Sequence, residues 1–370
     1  MARAPRLPET LSPRERVQLA LSHQVTDRVP IALICSGFEG DTRQALADYL
    51  KVDPSEGIDR YLEQFVDVTT VAPAYRGPAL GRRADGAYED MWGAWRAPCS
   101  YGRGVYYEIC HYPLAEIEEP ADLARHRWPQ ADWFDYDTFP QAIAAATARR
   151  DYALCLAGGN PFERTWWMRG FERTFLDMVE RPDVFHEIMR RVTDFYIAFC
   201  RCALQAAGRP IELVFTGDDI AGQRGMLMSL AMWEEHIKPY HVRLNRAIHE
   251  FGAKVIYHSD GGVMEVIPGL MEAGIDALQA LQFSADGMEP AVMKARYGDR
   301  LCFEGGVSVQ TTLPFGAATE VEAEVTHLIQ TLGRGGGYIL GPSHAIQSGT
   351  PPENIVAMFE AAVRCPLPPA

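Results

Sequence analysis

The chain is predicted to be an α/β protein, a (β/α)8 barrel of the TIM type, and three observations carry that reading. Short apolar runs of buried-strand type alternate with helical patterns over most of the 370 residues. The number of these units favours a closed barrel over a doubly wound sheet. Polar residues and glycines recur just after the proposed strands, at Gly158-Gly159-Asn160, Gly217-Asp218-Asp219, His258-Ser259-Asp260, Gln279-Ala280-Leu281-Gln282, Glu304-Gly305-Gly306 and Ser343-His344. A barrel gathers its site at that end of its strands.

Taken in order, Ser12-Pro13-Arg14-Glu15 supplies a cap residue and a first-turn proline for an N-terminal helix. Arg28-Val29-Pro30 leads into Ile31-Ala32-Leu33-Ile34, a short run of buried-strand type. A helix over 42–50 and an extended run over 65–71 follow. Residues 76–112 interleave Gly, Trp, Tyr and Arg in the alternation of hairpins, and read as a β-rich insertion within one domain spanning 1–370. From Asp151 the order is a strand at 153–156, helices at 161–169, 171–179 and 182–207, and a strand at 212–215. One helix over 230–251 precedes a strand at 255–258 and a helix near 264–273. Strands at 277–279 and 301–303, a helix over 321–332, a strand at 338–340 and a helix over 354–363 complete the pattern.

Bulk properties exclude several classes. A formal net charge of −14 with no compensating basic block argues against nucleic acid as a partner. No run of about 18 apolar residues exists, so no transmembrane helix is expected, and the first residues lack the apolar region of a secretory signal. The eight cysteines are scattered without a CxxC pair, which suits a reducing, cytoplasmic setting.

Within a strand, side chains i and i+2 share a face. His258 and Asp260 therefore converge on one point, and His344 ends a later strand at the same level. Two imidazoles and a carboxylate there form a three-ligand metal set with open positions; each residue alone would serve equally as a loop cap. Asp218 and Asp219 are candidates for a fourth ligand, a general base or a helix cap. Glu163 and Trp166, which follow Gly158-Gly159-Asn160, and Gln223, Gln279 and Gln282 are candidates for substrate contacts. Glu304 is a candidate for the same role, or for orienting a ligand histidine. His236, His241 and His249 lie at helical spacings that do not pair, and read as structural.

Several segments in order, Ser12-Pro13-Arg14-Glu15-Arg16-Val17, Asp27-Arg28-Val29-Pro30, Gly217-Asp218-Asp219, Lys238-Pro239-Tyr240, His258-Ser259-Asp260-Gly261, Leu313-Pro314-Phe315-Gly316 and Thr350-Pro351-Pro352-Glu353-Asn354-Ile355, resemble the uroporphyrinogen decarboxylase superfamily. Within it, the chain resembles the branch of cobamide-dependent methyltransferases. The decarboxylase proper has arginines in an N-terminal segment that grip its substrate's carboxylates; here residues 31–40 contain none, a poor receptor for a polyanion. The zinc methyltransferases of that superfamily carry a His-x-Cys and a distant Cys. Here Asp260 and His344 stand at the two thiolate positions, replaced by residue types that still bind metals.

The resemblance implies a divalent metal, Zn2+ first and Fe2+ as the alternative, held by His258, Asp260 and His344. It also implies a corrinoid on a separate partner protein, a small-molecule substrate and a homodimer. Ligation by nitrogen and oxygen gives a harder, more Lewis-acidic ion than two thiolates do, suited to polarising an oxygen substrate. The leading expectation is a methyltransferase or demethylase acting on a small O- or S-methyl compound. The alternatives are a metal-assisted lyase or decarboxylase of a small carboxylic acid, and a non-catalytic tetrapyrrole-binding protein.

Overall fold

The computed structural model describes residues 5–35, 37–102 and 104–369; most of the N-terminal stretch read above for a signal lies outside them. Seven parallel strands form one curled sheet: β1 (Val68–Val71), β2 (Ala153–Gly159), β3 (Leu213–Gly217), β4 (Lys254–His258), β5 (Ala277–Gln279), β6 (Cys302–Val307) and β7 (Tyr338–Pro342), hydrogen-bonded in that order. The eighth place belongs to the segment around Ile31. Ile31 bridges Leu340 in parallel, the Ala32 N–H donates to Leu340 O at 2.9 Å, and the Asp67 N–H donates to Ile31 O at 2.8 Å. Ring closure thus rests on a bridge and flanking hydrogen bonds, shorter than the strand expected over 31–34.

Strand parity explains where the core ends and the site begins. Val68, Cys155, Leu213, Ile256, Ala277, Cys302 and Ile339 share one inner core cluster with Val17, Ala20 and Leu21. The helix Pro13–Leu21 therefore plugs the lower end of the barrel. Its start is fixed by Ser12, which caps the Glu15 N–H while the Glu15 side chain returns to the Ser12 N–H. The alternate strand residues, among them Leu154, Val214, Val255, Leu278 and Phe303, pack outward in the larger cluster with the helices. Two positions above the inner core residues come Phe215, His258, Gln279, Glu304 and Gly341. The apolar interior gives way to chemistry one side-chain layer higher.

Below the barrel lies a buried ion network. The Asp67 carboxylate takes hydrogen bonds from Arg16 Nη1 at 2.6 Å, Arg28 Nη1 at 2.7 Å and the Ile31 N–H at 2.9 Å. Arg16, Arg28 and Asp67 have no exposed side-chain surface. Arg16 Nε also binds Asp27 at 2.7 Å. Burial opposes ionisation of Asp27, but Arg16 and the Leu11 and Thr10 N–H groups outweigh it, so its carboxyl titrates well below the ordinary carboxylate range. A depressed folded value gives stability that is present above the ordinary value of 3.8 and is lost as pH falls below it. Asp27→Asn is expected to flatten the acid limb of a pH–stability curve measured by urea unfolding; an unchanged limb would contradict this linkage.

The 76–112 region forms the expected antiparallel hairpins, with strands Tyr88–Glu89, Trp95–Ser100 and Val105–His111. It leans toward the barrel mouth: Arg96 stacks on Trp167 at 4.3 Å, and a side chain on Gly104 would meet Ser348 after β7. The helix expected over 230–251 is instead two, Leu230–His236 and Lys238–His249. Pro239 cannot donate within a continuing helix and opens the second one. No helix among the described residues is long and apolar enough to cross a membrane.

Candidate active site

At the top of β4, His258 is the centre around which donors gather. Its Nδ1 lies against Gln279 Oε1 on β5, an acceptor only, so Nδ1 carries the proton. Gln279 in turn donates to the Glu304 carboxyl on β6. This chain of contacts fixes the tautomer and leaves Nε2 with its lone pair free, the arrangement that second-shell groups give to metal-binding histidines. Nε2 sits 3.6 Å from Asp219 Oδ1. Close packing makes the room: a Cβ on Gly217 would meet His258 at 2.6–2.7 Å, and one on Gly341 would lie 2.7 Å from Glu304 Oε1.

Two donor groups share His258. In one, Cys35, His258 and His344 bring ligand atoms within 4.8 Å of one another; in the other, Asp219, His258 and Asp260 do so. The His258 and His344 rings have centroids 5.9 Å apart. The three residues expected from sequence all appear in these groups, with His258 in both, Asp260 in one and His344 in the other. Asp260 is tied to its partner by its backbone, which donates to Asp219 Oδ1 at 2.9 Å. Burial raises the Asp260 carboxyl above its ordinary value, opposed by His258 and His344 and reinforced by Asp219.

The residue that sequence reasoning missed is Cys35. It was grouped with the scattered cysteines, although it directly follows the strand-like run 31–34 and so ends a strand like the other candidates. Burial, then Asp260 and Glu304, push its thiol well up in the absence of a cation.

Other candidates have different work. Asp218 is fully buried and caps the helix Pro161–Arg169, accepting from the Phe162 N–H at 3.0 Å and the Glu163 N–H at 2.7 Å. Its remaining capacity meets His241 Nε2 at 2.5 Å. It thus holds a helix end in place, with His241 set against its carboxylate. Gln282 accepts from the Gly261 N–H and donates to Gln223 at 2.8 Å and to Gln310 at 3.0 Å, so Gln282 and Gln223 lace loops together. Gln279 and Glu304 stand behind His258 in the chain of contacts described above. Trp166 packs edge-on to Trp167 and Phe171.

Glu163 is buried and held by Asn160 Nδ2 at 2.8 Å. Burial, then Asp219 and Asp218, push its carboxyl up to about 8. A cavity of about 270 Å3 is lined by Ile34, Thr70, Val71, Ala72, Cys155, Ala157 and Phe215. None of these is charged. The Phe215 ring lies 5.6 Å from that of His258, which joins the cavity to the donor cluster.

The sequence model of the uroporphyrinogen decarboxylase (URO-D) family matches residues 114–365. The chain belongs to that family. Curated relatives include a uroporphyrinogen decarboxylase of Coxiella burnetii, 22% identical over 60% of this chain and 60% of its own length. A methylated-thiol–coenzyme M methyltransferase of Methanosarcina mazei is 27% identical over 50% of this chain and 46% of its own. The URO-D chain is thus matched along only about half to three-fifths of these relatives. Among solved structures, a methyltransferase from Methanosarcina mazei superposes with a TM-score of 0.64 at 17% identity, covering 95% of this chain and 98% of that one. That likeness shows a shared fold over nearly the whole chain.

Proposed function

We propose that this URO-D family protein is a metal-dependent methyltransferase or demethylase, moving a methyl group between a small O- or S-methyl substrate and a corrinoid held by a partner protein. One observation carries the reading: nitrogen, sulfur and carboxylate donors from separate strand ends gather around His258, beside an uncharged cavity. Support also comes from the methyltransferase relative and from the methyltransferase of like fold. The donors fit a divalent ion such as Zn2+, since His258 presents a free Nε2 with its tautomer fixed from behind by Gln279. When bound, such an ion supplies Lewis-acid polarisation of the oxygen or sulfur that bears the methyl group.

The chain's own residues do the rest. The cavity, with Ile34, Val71 and Phe215 in its lining, suits an uncharged group of modest size. No arginine or lysine lines it, so a substrate carrying many carboxylates finds no countercharge there. Glu163, raised to about 8, holds its proton at neutral pH and is placed beside Asp219 to donate it to a departing oxygen or sulfur.

The test is incubation of the zinc-loaded protein with methylcobalamin and a panel of small thiols and phenols. Loss of the methylcobalamin spectrum together with a methylated product by mass spectrometry is the expected result. A proton-holding Glu163 also suits a carboxy-lyase, and release of CO2 from a small acid without any corrinoid change would replace the first reading by that one.

A further inference from the structure

We propose that Cys35 is a metal ligand, so that the ion is held by a two-nitrogen, one-sulfur face made of His258, His344 and Cys35. The inference rests on the reading that a metal binds at His258, and goes beyond it by assigning a thiolate from the barrel's closing segment. Among the described residues, Cys35 Sγ and the two histidines come within 4.8 Å of one another, while donors on four-coordinate zinc sit roughly 3.3–3.8 Å apart. Contraction by about 1 Å, within the reach of small side-chain adjustments, brings the three onto one centre.

Position supports the assignment independently of distance. The strand ends after β4 and β7 carry Asp260 and His344 where the sequence resemblance expects two sulfurs. Cys35 returns one sulfur to the same mouth from another strand end. The carboxylates of Asp219 and Asp260 gather at His258 as well, near enough to act on Cys35 and His344, and supply the balancing charge. Binding a divalent ion forms the sulfur–metal bond, and the thiol proton leaves to solvent. A site with one sulfur and two nitrogens is softer than one built from His258 and two carboxylates, and favours Zn2+ or Co2+ over Mg2+ or Mn2+.

The experiment is anaerobic titration of the metal-free full chain with Co2+, read by absorbance and by equilibrium dialysis. The wild type is expected to bind one equivalent and to develop a sulfur-to-cobalt charge-transfer absorption in the near ultraviolet. Cys35→Ser should lose that absorption and bind cobalt more than about 100-fold more weakly, beyond the roughly 10–100-fold that removal of an outer-shell partner gives. Cys202→Ser, at an exposed cysteine, should keep both.

Because the wild-type spectrum alone reports sulfur ligation, the test survives a Cys35→Ser protein that folds poorly. Cobalt bound without the charge-transfer band, and with equal affinity in Cys35→Ser, overturns the assignment while leaving a metal at His258, Asp219 and Asp260. A wild type that binds no cobalt overturns the assignment and the metal reading together. Methyl transfer from methylcobalamin is scored separately, so a failure of the proposed reaction is not mistaken for a failure of the thiolate.

Discussion

His258→Ala is expected to abolish metal binding and methyl transfer while leaving the barrel folded. His258 is the one residue common to both donor groups, so its removal leaves each with two donors and no shared centre. Alanine also strips Gln279 of its partner, at about 1–3 kcal/mol for an unsatisfied buried amide. That cost is small enough for the fold to survive. Gln279→Leu should give a graded version: the donors remain, the imidazole loses its fixed tautomer, and affinity falls by about 10–100-fold. Competition against a chromophoric chelator measures both variants, with urea unfolding as the control for structure. Wild-type affinity in His258→Ala would remove His258 from the site.

Asp67→Asn is expected to cost the most stability of any single polar substitution beneath the barrel, about 3–5 kcal/mol. The carboxylate is the common acceptor for Arg16 and Arg28 and also receives the Ile31 N–H. Asparagine keeps the shape but leaves two buried guanidinium groups facing a neutral amide. An exposed pair makes the comparison: Arg149 and Glu63 are 3.0 Å apart with side chains 53% and 29% exposed, and Arg149→Ala should cost no more than about 1 kcal/mol. Urea midpoints at unchanged m value measure both. A loss below about 1 kcal/mol for Asp67→Asn would show that the network is not buried in solution as it is here.

Barrel architecture was legible because period-2 burial and strand-end polarity are local properties of sequence. Ile256 followed by His258, and Cys302 followed by Glu304, already place an apolar residue below a functional one on the same face. What escaped depended on distant partners. Asp218 and Asp219 look alike in sequence, yet one meets a helix N-terminus 55 residues earlier and the other faces His258. Gln282 resembles a substrate contact until Gln223 and Gln310 are seen to occupy it. Cys35 carried a usable signal, its place just after a strand-like run, but one sulfur among eight cysteines gains meaning only from its neighbours. The motif residues Arg16, Asp27 and Arg28, by contrast, serve the fold and not the mouth.

The seam of the ring has a consequence for how the protein opens. Residues 28–35 carry Arg28 at the bottom, the single bridge from Ile31 to Leu340 in the middle, and Cys35 at the top. This joint to β7 has a second bridge above it, from Phe38 to Ile346, while Arg28 ties the foot of the segment to Asp67 beside β1; on the thiolate assignment proposed above, a bound ion would add a link from Cys35 to His344 at the top. An ion at the mouth would then act as a zip-pull for the cylinder. Amide exchange at Ala32 and Leu340 should slow on metal addition well before any change appears in the outer helices, making occupancy readable from the backbone of a strand-like segment that binds nothing itself.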